Sequence, residues 1–315
     1  MKSYLFALIA LSLVLTSCVP ASTSASTAPT AIVVVEIPVV PDVTAEPETP
    51  FSYDASVPFD VKINSQEEQD GILITDLSYA AHDPKFSLPT GGRTVAYLVT
   101  PKGEGPFAGV VYLHWFGNTN SNRKEFLNEA VLLAQHGVVS LLLQGFYPWM
   151  SAVTLNESDR IMIVDQTIEI RRAVDFLLTQ PGVDPDRLAV VGHDYGAMYA
   201  GSAAGVDHRV KTYIIIAGAP SYADFAALFG AKHDQYLPLV QDIDPIRQVA
   251  SGSPSSILFQ FGKLDEFISQ KDAQRFYDAA SEPKKLGWYD DNHQMSSQSV
   301  LDDRITWLTE QLGLK

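Results

Sequence analysis

Apolar residues come in short continuous runs between Val110 and Tyr289, and most of the gaps between runs carry helical periodicity. Phe107–Leu113, Val138–Leu143, Leu188–Val191, Val210–Ile216 and Ser256–Phe261 read as strands buried on both faces, with the shorter Leu286–Tyr289 closing the series. Between them lie a helix over Arg123–His136, with Phe126, Leu127, Ala130, Val131 and Ala134 at helical spacing, a long helix over Asp159–Leu178, and a helix over Ser269–Ala280. Asp302–Leu312 ends the chain as a helix. Ile72–Leu77 and Thr94–Val99 precede the series as opening, antiparallel strands. Alternation of buried strands with helices predicts an α/β fold, a mostly parallel sheet covered on both faces.

The strand Leu188-Ala189-Val190-Val191 runs into Gly192-His193-Asp194-Tyr195-Gly196 and then into small helix-forming residues, Ala197-Met198-Tyr199-Ala200. Glycines two residues either side of Asp194 suit a strained strand–turn–helix apex, where a flanking side chain would collide with its neighbours. Two further candidates occupy strand ends. Asp265 lies in the turn after Ser256–Phe261, and His293 follows Leu286–Tyr289 in Asp290-Asp291-Asn292-His293. Functional groups of an open parallel sheet collect at the carboxyl ends of strands.

Gly192–Gly196 resembles the nucleophile elbow of the α/β-hydrolase superfamily, and Asp194, Asp265 and His293 follow that superfamily's order of nucleophile, acid and base. The resemblance implies an α/β-hydrolase fold with a catalytic triad. It also implies an oxyanion hole from the backbone of Trp115 or Phe116, after the Phe107–Leu113 strand, and of Tyr195, after the nucleophile. Most members carry serine at the elbow. An aspartate there resembles haloalkane dehalogenases and epoxide hydrolases, in which a carboxylate attacks saturated carbon and histidine-activated water then hydrolyses the alkyl-enzyme ester. Val183-Asp184-Pro185-Asp186-Arg187-Leu188 and the modest length of the segment 221–254 instead resemble the dienelactone-hydrolase-like branch, where the nucleophile is cysteine or serine. Three functions therefore stand. One is an aspartate-nucleophile hydrolase of a small apolar alkyl halide or epoxide. The second is an ester or lactone hydrolase with Asp194 as a base toward water, and the third a binding protein on this scaffold. Segment 221–254 is expected to form a small lid, with Tyr222 and Tyr236 binding an epoxide oxygen; for a halide, Trp115 or Trp149 supplies an indole N–H.

The N-terminus changes the setting. Met1-Lys2 precedes an apolar stretch from Tyr4 to Leu15, too short to span a bilayer, and Leu15-Thr16-Ser17-Cys18 resembles a bacterial lipobox. This implies removal of residues 1–17, lipidation of Cys18 and anchoring to a membrane of the bacterial cell envelope on its extracytoplasmic side. Cys18 is the single cysteine, which leaves no disulfide, zinc-thiolate or cysteine nucleophile. Residues 18–57, rich in Ser, Thr, Ala, Pro and Val, read as a disordered linker, with the globular domain over 58–315. A net charge of −15 argues against a nucleic-acid partner. No pattern calls for a metal or cofactor; the expected partner is a small-molecule substrate.

Overall fold

Nine strands form one sheet in the computed structural model, which describes residues 48–83, 91–116, 122–147 and 155–315. In chain order they are β1 (Lys62–Gln69), β2 (Ile72–Ala80), β3 (Arg93–Thr100), β4 (Phe107–Leu113), β5 (Val138–Leu143), β6 (Val183–His193), β7 (Thr212–Ile216), β8 (Ser256–Gly262) and β9 (Lys284–Tyr289). Their order across the sheet is β1-β2-β3-β5-β4-β6-β7-β8-β9. The first three strands and β5 pair antiparallel; from β5 to β9 every pairing is parallel. All residues of β4, β5, β7 and β8 are buried, as expected for strands read as continuous apolar runs.

Side chains alternate between two cores. Val111 and Leu113 of β4 enter one, Val110 and Tyr112 the other. The first core is covered by α2 (Glu157–Leu178), α3 (Tyr195–Ala204), α4 (Tyr222–Leu228), α5 (His233–Val240) and α7 (Gln270–Ala279); the second by α1 (Leu127–Ala134) and α8 (Gln298–Leu312). Helix α6 (Pro245–Gln248) completes the segment 221–254, which is three short helices and a 3-10 turn at Val249–Ser251. Pro245 opens α6, whereas Pro238 lies inside α5 and does not end it.

Two features differ from the sequence reading. Strand β1 is exposed at every position and so carries no apolar alternation to reveal it. The packed chain also begins upstream of residue 58: Phe51 is 1% exposed, and the Tyr53 hydroxyl donates to Asp175 Oδ2 at 2.6 Å. A proline-rich composition hid two aromatics that dock on α2. Cys18, the segment before it and most of the linker lie outside the described residues.

Candidate active site

The elbow forms as the glycines require. β6 ends at His193, Asp194 takes φ 54°, and α3 starts at Tyr195. That φ is costly for a residue with a Cβ, and it persists only where the surroundings over-determine it. The surroundings leave no choice. A Cβ on Gly196 would lie 2.6 Å from the carbonyl oxygens of both Leu113 and His114, and one on Gly192 would run into the Gly196 carbonyl. Because those obstacles are backbone, Gly192→Ala should destabilise the protein by about 1–3 kcal/mol or more, a loss readable in urea unfolding. An unchanged midpoint would contradict so tight an elbow.

Asp194, Asp265 and His293 come together, each from a loop at the carboxyl end of its strand. His293 Nδ1 is 2.9 Å from Asp265 Oδ2 and 3.1 Å from Oδ1, and its Nε2 is 3.2 Å from Asp194 Oδ1. The imidazole thus lies between two carboxylates. The side chains of Asp194, Asp265 and His293 are 2%, 0% and 5% exposed. Asp265 is itself held, since the amides of Phe267 and Ile268 donate to its Oδ1 at 2.8 and 2.9 Å. Burial pushes the His293 imidazole down, but the negative charges of Asp194 and Asp265 on either side of it outweigh burial and raise its pKa to about 10. In the free protein His293 is therefore cationic at neutral pH.

The two oxygens of Asp194 differ. The Phe116 amide donates to Oδ2 at 2.8 Å. Oδ1 is buried and accepts no hydrogen bond; its contact with His293 is an ion pair that lacks hydrogen-bond directionality. Of the two expected donors after β4, Phe116 is the one aimed at Asp194. Trp115 is corrected: its amide donates to Glu125 Oε2 at 2.8 Å and is turned away. The peptide between them is held on its other side by the His114 ring, whose Nδ1 donates to the Trp115 carbonyl at 2.9 Å while its Nε2 accepts from the Gly145 amide at 2.9 Å. Burial holds the His114 pKa below the usual histidine range, consistent with this neutral tautomer.

A cavity of about 240 Å³ opens onto the triad, lined by Asp194, His293 and five aromatic side chains, Trp115, Phe116, Phe225, Phe229 and Phe267. Its size and apolar walls suit a small molecule with little polar surface. Phe267 packs edge-on against the His293 ring at 4.9 Å.

The lid tyrosines are corrected. Tyr222 is buried, its hydroxyl 2.9 Å from Ser202 Oγ, and Tyr236 donates to Asp159 Oδ2 at 3.1 Å; neither lines the cavity. Tyr195 likewise turns its side chain away from the cavity, into an aromatic cluster with Tyr147, Tyr199, Tyr222 and Phe225. In segment 221–254 the cavity instead takes Phe225 and Phe229. Trp149 lies outside the described residues. Four residues were given no role from the sequence: Phe229, just past α4; Phe267, two positions past the acid; His193, beside the nucleophile; and Glu125, whose carboxylate gave no motif. Among the described residues, no group of three or more His, Cys, Asp or Glu side chains is placed to hold a metal ion.

Three solved structures with the same architecture are remote in sequence. An acetyl xylan esterase from Paenibacillus is 20% identical, with a TM-score of 0.64 over 80% of this chain and 89% of its own. A second, from Thermoanaerobacterium, is 15% identical at a TM-score of 0.65, over 83% of this chain and 91% of its own. A 2,6-dihydroxy-pseudo-oxynicotine hydrolase is 19% identical at a TM-score of 0.56, over 70% and 65%. No family model matches. One curated relative, a thiohydrolase of Arthrinium phaeospermum, is 39% identical over 74 residues, and the match spans only 24% of each chain. Together with the strand order, these likenesses make the architecture an α/β-hydrolase fold.

Proposed function

On an α/β-hydrolase fold whose elbow carries an aspartate, we propose that this chain is a hydrolase in which Asp194 attacks the saturated carbon of a small apolar electrophile, an alkyl halide or an epoxide. The observation that carries this reading is the division of labour within the Asp194 carboxylate. Oδ2 rests against the Phe116 amide while Oδ1 accepts no hydrogen bond. Attack through Oδ1 forms a C–O bond and breaks the carbon–halogen bond, or one C–O bond of an epoxide. Halide departs, or an alkoxide forms and takes a proton. Oδ2 is then the ester carbonyl oxygen, already against a donor that stabilises the oxyanion of the second step.

The electrostatics time the two steps. Attack needs no base, because a carboxylate is a nucleophile as it stands, and a cationic His293 is no obstacle. Alkylation then removes one of the two negative charges that keep His293 protonated, so its proton affinity falls. The imidazolium releases the proton it holds to solvent or, by way of water, to the epoxide alkoxide, and the neutral ring can then accept a proton from the attacking water. That water adds to the Asp194 carbonyl carbon, the alcohol leaves with the former Oδ1, and the carboxylate is restored. Asp265 keeps its charge throughout and orients the ring.

A second reading, ester or thioester hydrolysis with Asp194 as a base toward water, is favoured by the names of the fold neighbours and of the short thiohydrolase match. A carboxylate attacking an ester passes through an anhydride, and a base flanked by a cationic histidine is a weak one; the chemistry of the site therefore favours the first. Comparing kcat/KM for small bromoalkanes and terminal epoxides with that for acetate esters and thioacetates tests the choice. Turnover of esters alone would overturn it. From Leu15–Cys18 we further infer that the enzyme is lipid-anchored outside the cytoplasm and meets its substrate there.

A further inference from the structure

A chain of hydrogen bonds behind the triad ties together the loop that carries the Phe116 amide, the elbow that carries Asp194 and the loop that carries His293. Glu125, just before α1, accepts from the Trp115 amide with Oε2 at 2.8 Å and lies 2.6 Å from His193 Nδ1 with Oε1. His193 Nε2 is 2.9 Å from the His293 carbonyl oxygen. Both ring nitrogens of His193 face groups that only accept, a carboxylate and a carbonyl, so both must donate. The Trp115 indole lies over the His193 ring, centroids 6.0 Å apart and planes 13° from parallel. His193 is 3% exposed and the Glu125 side chain 22%. None of these groups touches Asp194 Oδ1, the proposed attacking atom.

We infer that Glu125 and His193 are a positioning pair that aims the Phe116 amide at Asp194 and fixes the loop bearing His293. The aim follows from the peptide plane. The Trp115–Phe116 peptide presents its carbonyl to His114 and its N–H to Asp194, and Glu125 holds the amide one residue earlier, so the plane cannot rotate about the Trp115 backbone. At its other end the pair holds the His293 backbone while Asp265 holds the ring. A charge-assisted pair at 2.6 Å is short and directional, which is what holding a donor to a few tenths of an ångström requires.

This inference uses the proposed reaction only for its kinetic consequence; its first readout needs no substrate. In the free protein, the Phe116 amide should exchange its hydrogen slowly, and Glu125→Ala should speed that exchange at least tenfold without lowering the melting temperature in proportion. Glu125→Gln should restore it, since the glutamine carbonyl can accept from Trp115 while its amide donates to a neutral His193 that still donates to the His293 carbonyl. Glu125→Asp, one methylene too short to span both partners, should behave like Glu125→Ala, and it answers the question if the alanine variant does not fold. In turnover, Glu125→Ala should lose about 10²-fold in kcat, as a misplacement near 1 Å does, with KM changed less than threefold. Phe116 exchange unchanged in both the Ala and Asp variants would overturn the inference, as would a glutamine variant that folds yet fails to restore it. If exchange responds as expected but no haloalkane or epoxide is turned over, the positioning pair stands and the reading of the reaction falls.

Discussion

His293→Gln should separate the two half-reactions: one equivalent of alkyl group adds to Asp194, and turnover then stops. The first step draws on the charge of Asp194 and the amide of Phe116, neither of which the substitution removes. The second needs a base for water, and glutamine cannot take the proton. Loss of a positioned general base costs roughly 10²–10⁴ in rate, so the alkyl-enzyme should accumulate and appear in intact-protein mass spectra as the substrate's mass less that of hydrogen halide, or as the whole epoxide. A variant that loses turnover without gaining mass would mean that His293 is needed before any covalent bond forms, as in the base-toward-water reading.

Asp194→Asn should move the titration of His293 the furthest of any change at the site. Two carboxylates, Asp194 and Asp265, hold the imidazole pKa at about 10 against the opposing effect of burial. Removing one partner leaves burial more nearly matched, and the proton should bind about 10- to 1,000-fold more weakly. Imidazole resonances followed by NMR across pH 5–11 would read this directly; a titration that stays near pH 10 would remove the timing argument. The same linkage sets a sign for stability. A raised folded-state pKa stabilises fully below the unfolded value of 6.5 and loses that contribution as pH climbs through about 10. Wild-type stability toward urea should thus fall between pH 6.5 and 10, and the Asp194→Asn curve should be flatter there.

How much of this was legible in the chain depended on the kind of signal. Strands buried on both faces announce themselves as apolar runs, so β4 to β8 were readable, whereas β1, polar and exposed, was not. The triad was readable because glycines must flank a residue at φ 54° and because Asp265 and His293 close strands of a parallel sheet. Tyr222 and Tyr236 misled because a tyrosine on a short helix has the same appearance whether its hydroxyl meets substrate or Ser202 and Asp159. Phe267 lacks any such marker, since its position at the cavity follows from a turn whose amides cap Asp265. Glu125 was invisible for a plainer reason: it acts through a contact 10 residues away and another 68 residues away, and a lone carboxylate before a helix reads as an ordinary first-turn acid.

Whether Asp194 bonds covalently to the substrate is decided by one single-turnover reaction in water enriched in oxygen-18, with enzyme in excess over a bromoalkane or epoxide. Attack by Asp194 gives product the oxygen that was Oδ1 and leaves one oxygen-18 in the aspartate, so the peptide containing Asp194 should gain two mass units while the alcohol or diol carries no label from that step. Labelled product with an unlabelled Asp194 peptide would mean that water attacks directly, and would contradict Asp194 as the nucleophile.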